Sequence, residues 1–143
     1  MASERILMVE DNPQNRRLAQ FLLQSQGYLV SEATTGQEAL QVARSQGPDL
    51  ILMDLQLPGL DGFAVTRLLK EDPATAGIPV VAVTAYAMRG DREKALEAGC
   101  AGYITKPIDT REFPAAVRYY LALATSVKGD AERGDGSKDP DRR

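Results

Sequence analysis

Five polar residues each stand directly after a short apolar run: Glu10 and Asp11 after Ile6-Leu7-Met8-Val9, Asp54 after Leu50-Ile51-Leu52-Met53, Thr84 after Pro79-Val80-Val81-Ala82-Val83, and Lys106 after Ala101-Gly102-Tyr103-Ile104-Thr105. Three carboxylates brought together repel one another. At about 4 Å and an effective dielectric near 20, each pair costs on the order of 4 kcal/mol. Such a cluster must hold a proton or a cation, and with only oxygen donors a hard divalent ion is expected. Mg²⁺ suits one or two carboxylates completed by water and phosphate oxygens. Lys106 adds a mobile ammonium and Thr84 a hydroxyl donor. Together these groups suit a trianionic phosphoryl group on or near Asp54, with that carboxylate as the nucleophile of an acyl phosphate. Taken singly, each has an ordinary explanation: a loop cap, a surface charge, a carboxylate near a helix N-terminus. Their joint position at the ends of apolar runs is what favours chemistry.

The runs that carry these residues have the length and uniformity of strands buried on both faces, as in a parallel sheet. Tyr28-Leu29-Val30 adds a second, shorter strand with nothing reactive at its end. Between the strands lie helix signals. Asn12-Pro13 is a cap followed by proline at the first helical position, with Leu18, Ala19, Leu22 and Leu23 behind it and Gly27 closing the element. Thr35-Gly36-Gln37-Glu38 fits a capping box. Phe63, Val65, Leu68 and Leu69 mark a third helix, and Ala95, Leu96 and Ala98 the inward side of a polar fourth. Asp109 caps a last helix bearing Phe113, Ala116, Val117, Tyr120 and Leu121, and Pro114 predicts a start two or three residues later than that cap suggests. Five strands alternating with five helices predict an α/β fold with a parallel sheet, flavodoxin-like order 2-1-3-4-5, helices on both faces. In that order strands one, three, four and five are neighbours, so the reactive ends converge. Residues 1–124 form this domain. Residues 125–143, charged and poor in apolar side chains, are expected to be a flexible tail.

Composition narrows the function further. The 143 residues carry a formal net charge of -3 and a sequence pI near 5.0, so there is no basic footprint for direct nucleic-acid binding. No apolar run approaches the roughly 20 residues of a membrane span, and Met1-Ala2-Ser3-Glu4-Arg5 lacks the pattern of a secretory leader. The single cysteine, Cys100, rules out an internal disulfide and points to the cytoplasm. The chain has no histidine, which removes histidine acid–base catalysis and any phosphohistidine formed on the chain itself.

The acidic pair in Val9-Glu10-Asp11-Asn12, the Met53-Asp54 strand end with its Leu57-Pro58-Gly59-Leu60-Asp61-Gly62 turn, Thr84-Ala85 and Lys106-Pro107 resemble the receiver (CheY-like) domains of two-component response regulators over roughly residues 4–123. The runs Val9 to Asn15 and Pro79 to Met88, with no output domain, look most like single-domain regulators of the DivK type. The resemblance implies that Asp54 accepts phosphate from the phosphohistidine of a sensor histidine kinase or histidine phosphotransfer protein. It also implies Mg²⁺ held by Asp11, Asp54 and the backbone carbonyl of Gln56, with Glu10 acting through water. Lys106 would bond the phosphoryl oxygens, Thr84 would move toward them, and Tyr103 would turn inward as the aromatic switch. Gln56 and Tyr86 occupy the positions that tune hydrolysis, and a tyrosine there implies a long-lived phosphorylated state. Glu10 stands where many receivers have aspartate, a common variant. Lys106-Pro107 is expected to be cis. The faces around Ala87 to Glu97 and Arg111 to Tyr120 would meet a downstream protein target, and Pro13 to Arg17 with Pro107 the phosphodonor. The chain would be a monomer or a weak phosphorylation-dependent dimer, and not an enzyme beyond self-phosphorylation from a donor and slow autodephosphorylation.

Other readings share some of these residues. A receiver belonging to a hybrid histidine kinase has much the same pattern, although the charged tail favours a free-standing regulator. A magnesium-dependent phosphatase with an aspartyl nucleophile needs a second aspartate two residues on, where this chain has Gln56. A flavodoxin-like nucleotide binder needs a Gly- or Ser/Thr-rich loop after the first strand, where Glu10-Asp11 would repel phosphate. A pseudo-receiver would lack an acceptor or metal position, and none is missing.

Overall fold

Ile6, Leu7, Met8 and Val9 are all buried, as is every residue of Leu50–Asp54 and Val80–Thr84. Side chains alternate across a strand, so such runs need cover on both faces. The computed structural model describes residues 4–57, 59, 61–85 and 89–133, with backbone alone at 89 and 125–133. It supplies that cover with helices. The elements in chain order are β1 (Arg5–Val9), α1 (Pro13–Ser25), β2 (Leu29–Ala33), α2 (Gly36–Gln46), β3 (Leu50–Asp54), α3 (Gly62–Glu71), β4 (Val80–Thr84), α4 (Arg89–Ala98), β5 (Gly102–Thr105) and α5 (Glu112–Arg133). The strands are parallel, in the order β2-β1-β3-β4-β5. Leu7, Val9, Ile51, Met53, Val80 and Ala82 face α2, α3 and α4, where Ala39, Ala43, Val65, Leu69 and Ala95 meet them. Ile6, Met8, Leu50, Leu52, Val81 and Val83 face α1 and α5, against Leu23, Phe113 and Val117. Among the described residues no helix is long and apolar enough to cross a membrane.

The helix starts follow their caps. Asn12 Oδ1 accepts from the Asn15 amide at 3.0 Å, with Pro13 in the first turn. Thr35 Oγ1 accepts from the Glu38 amide, and the Glu38 carboxylate reaches back to the Thr34 amide, one residue before the cap. Asp109 Oδ1 accepts from Arg111 and Glu112, and α5 begins three residues past it, as Pro114 requires.

Four details depart from the sequence reading. Leu68, read among the apolar residues that mark α3, and Leu96, expected inward, are 41% and 47% exposed. Each sits about 100° around its helix from a buried neighbour, Leu69 or Ala95, and so falls outside the buried stripe. Strand β2 runs on through Ser31 and Glu32 to Ala33, because an edge strand tolerates polar residues that a central one would not. Helix α5 continues to Arg133, beyond residue 124 where the flexible tail was expected to begin. Ala, Lys, Glu and Arg propagate a helix that packing has already nucleated, without needing apolar side chains. Residues 134–143 of the expected tail lie outside the described residues.

Candidate functional site

Strand register brings the polar residues to one level. Val9 pairs with Met53, Asp54 with Val83, and Thr84 with Thr105. Glu10, Asp54, Thr84 and Lys106 are therefore each the last residue of a strand or the first beyond it, on adjacent strands. Asp54 is only 2% exposed, and Glu10 and Thr84 are fully buried, whereas Asp11 faces water. Gly62 lets α3 start against the end of β3: an added Cβ there would lie 2.5 Å from the Asp54 carbonyl oxygen and 2.6 Å from Leu55 Cα. Asp61 is engaged as the cap of α3, its Oδ1 accepting from the Ala64 amide at 2.8 Å. Gly59 takes the left-handed φ of 77° that the turn demands.

Lys106 ties the site together. Its Nζ lies 2.7 Å from Glu10 Oε1 and 3.2 Å from Asp54 Oδ2. Asp54 Oδ1 accepts from the Gln56 amide at 2.9 Å, and Glu10 Oε2 from the Asn12 amide at 3.2 Å. Burial is the largest single influence on both Glu10 and Lys106 and pushes them in opposite directions, yet both end above their ordinary values. Glu10 is pushed above the ordinary glutamate range by burial and then by the neighbouring Asp54 charge, with the Lys106 bond opposing. Burial would lower Lys106, yet its bond to Glu10 and the charges of Asp54 and Glu10 outweigh it, and the ammonium is held above the ordinary lysine value.

Carboxylate oxygens of Glu10, Asp11 and Asp54 all lie within 4.8 Å of one another. Three carboxylates against one ammonium leave two formal negative charges at this spot. An all-oxygen donor set with that balance fits a divalent hard cation such as Mg²⁺.

The remaining expected residues are placed as follows. The Thr84 backbone oxygen accepts from the Lys106 amide at 2.8 Å, which couples the ends of β4 and β5. The Lys106–Pro107 bond is cis, as expected. Gln56 is exposed beside Asp54. The Tyr103 ring packs on the α2–α3–α4 side of the core. Its hydroxyl is shut off from water and has no hydrogen-bond partner among the described residues. Burial, then Asp91, raises its pKa against the opposing charge of Arg92. Tyr86, and Ala87 and Met88 of the expected target face, lie outside the described residues.

Sequence reasoning did not single out Arg16. Its Nη1 donates to the Glu10 carbonyl at 3.1 Å and lies 3.4 Å from that of Asp11, while Nε is 3.6 Å from Glu32 Oε1 on β2. A basic residue in a first helical turn carries no sequence mark of such bonds.

A doubly covered parallel sheet with an acidic cluster and a lysine at its carboxyl edge defines a doubly wound α/β domain whose crevice lies at the carboxyl ends of the strands. Residues 6–118 match the response regulator receiver domain, and the chain belongs to that family. It is 44% identical over 122 residues to the polar-differentiation response regulator DivK of Brucella ovis, covering 85% of this chain and 99% of that one. The corresponding protein of Brucella anthropi is 46% identical over 119 residues, covering 83% of this chain and 97% of the relative. The receiver domain of the sensor histidine kinase PA1611 from Pseudomonas aeruginosa PAO1 superposes with a TM-score of 0.78 at 38% identity, covering 85% of this chain and 99% of that domain. That structure holds a magnesium ion in its active-site cleft.

Proposed function

We propose that this chain is a phosphorylation-activated signalling switch, accepting a phosphoryl group on Asp54 from a sensor histidine kinase or a histidine phosphotransfer protein. The observation that carries this reading is the contact of Lys106 Nζ with Asp54 Oδ2 at 3.2 Å inside a cluster of three carboxylates. In the transfer an Asp54 oxygen attacks phosphorus, the phosphorus–nitrogen bond of the donor breaks, and the imidazole leaves with the electron pair. Lys106, already poised on Asp54, follows the new phosphoryl oxygens, and the Thr84 hydroxyl moves to them. Asp11, Asp54 and the Gln56 carbonyl would hold Mg²⁺, with Glu10 through water, and the ion would supply charge neutralisation for those oxygens. Movement of Thr84 draws on β4 and β5 together, since its carbonyl accepts from Lys106. Tyr103 couples that shift to the surface of α4, β5 and α5, where a downstream protein target binds. Gln56 and Tyr86 govern access of water to the acyl phosphate. The chemistry is acceptance and slow loss of one phosphoryl group, without turnover of a substrate, and it takes place in the cytoplasm.

Likeness to DivK over nearly the whole of that regulator supports a free-standing switch, and the 38% identity to a kinase's own receiver domain makes a hybrid-kinase receiver the second reading. A phosphotransfer profile against purified kinases tests the proposal. Native chain becomes labelled by a cognate donor, while Asp54→Asn keeps the fold by circular dichroism and takes no label. Undiminished labelling of that variant would refute the assignment.

A further inference from the structure

Arg16 reaches back from α1 onto the loop that carries the acidic pair. One guanidinium nitrogen serves the carbonyl oxygens of two successive residues, Glu10 at 3.1 Å and Asp11 at 3.4 Å. Its Nε faces the Glu32 carboxylate on β2 at 3.6 Å, with the Arg16 side chain only 21% exposed. The same loop is held to β2 a second time, by the Glu10 amide donating to the Ala33 oxygen at 3.0 Å. A guanidinium is planar and offers its donors in a fixed fork. Two consecutive carbonyls converging on one donor fix the peptide planes on either side of Asp11. Those planes set the directions in which the Glu10 and Asp11 side chains leave the backbone.

We propose that Arg16 is a positioning residue for the cation site: it clamps the β1–α1 loop so that the Asp11 and Glu10 carboxylates point at Asp54 before any metal arrives. The proposal rests on reading Glu10, Asp11 and Asp54 as a divalent-cation site. Two effects of Arg16 oppose each other. Its positive charge repels a divalent ion, whereas its hydrogen bonds remove the ordering that binding would otherwise require of the loop. Glu32 offsets the charge, and solvent screens what is left. Ordering therefore dominates, and loss of Arg16 weakens the site.

Isothermal titration of the full chain with MgCl₂ at constant ionic strength, beside a thermal melt of each variant, tests this without any phosphorylation. The expected result is that Arg16→Ala binds Mg²⁺ roughly tenfold more weakly than the native chain, the low end of what outer partners of metal ligands contribute. Arg16→Lys, which keeps one donor for the carbonyls, falls between the two. Asp72→Asn removes a different ion pair, with Arg44, and leaves the affinity unchanged even where it lowers the melting temperature. Affinity in Arg16→Ala equal to or tighter than native overturns the clamp, because the charge then outweighs the ordering. So does a lysine variant as weak as alanine, or an equal loss in Asp72→Asn, which would make the effect one of general stability. Absence of Mg²⁺ binding by the native chain overturns the reading of the site and the clamp with it.

Discussion

Two lysines at opposite edges of the sheet are pushed in opposite directions by their surroundings. Lys106, at the carboxyl edge, lies against Glu10 and Asp54 and is held more basic than an ordinary lysine. Lys70, near the end of α3 at the amino edge, donates to the carbonyl oxygens of Ala76 at 3.2 Å and Ile78 at 2.6 Å. Burial is its dominant influence and makes it less basic than usual, with nearby Cys100 opposing. That thiol is itself pushed up to about 11 by burial, its bond to Thr66 notwithstanding. Burial acts against both ammonium groups. Carbonyl dipoles satisfy a donor without compensating a full charge, whereas two carboxylates do both. Lys70 is a cap that closes the α3–β4 loop; Lys106 is one half of a charge balance that a phosphoryl group would rearrange.

The sharpest way to test this contrast is to remove each ammonium in turn. Lys106→Met leaves Glu10 and Asp54 buried and facing each other, and should cost about 3 kcal/mol of stability in urea unfolding without metal, the low end for breaking a buried ion pair. Millimolar Mg²⁺ should restore part of that loss, since a cation re-establishes the balance. Lys70→Met leaves two carbonyls short of a donor, and should cost about 1 kcal/mol, indifferent to Mg²⁺. Equal losses, or a magnesium response in both variants, would erase the distinction.

A smaller effect appears in alkaline solution. Lys106 has a folded-state pKa above the ordinary 10.5, so the folded state binds the extra proton, and its stabilisation is lost as pH rises through that raised value. Lys70 has a folded-state pKa below 10.5, so the unfolded state binds more protons in that window, and its contribution grows as pH rises toward 10.5. The stability gap between native and Lys70→Met should therefore widen from neutral pH toward 10.5. The gap between native and Lys106→Met should narrow above it. Parallel curves for the two variants would contradict the opposed shifts.

Much of the carboxyl edge was legible in the sequence because burial leaves a plain mark there. Uniform apolar runs such as Leu50 to Met53 admit few structures other than a doubly covered strand, and a charge at the end of one has few places to go. Caps were legible for a similar reason: Asn12, Thr35 and Asp109 each bond amides within three residues. Leu68 and Leu96 were misplaced because an apolar residue at the margin of a helical stripe looks the same whether it is covered or not. The length of α5 was hidden because composition reports what a segment can bury, not whether an established helix will run on through it. Arg16 and Lys70 left no trace at all. Both act on backbone carbonyls, whose positions depend on the finished fold.

A switch of this kind is defined by where a phosphoryl group lands. Incubating the native chain with a phosphodonor and Mg²⁺, then mapping the modified peptide by mass spectrometry, answers that directly. The predicted result is a single phosphate on Asp54, labile to alkali and hydroxylamine, absent when the metal is chelated. Phosphate on Asp11, Asp61 or a hydroxyl side chain, or labelling that ignores magnesium, would contradict it.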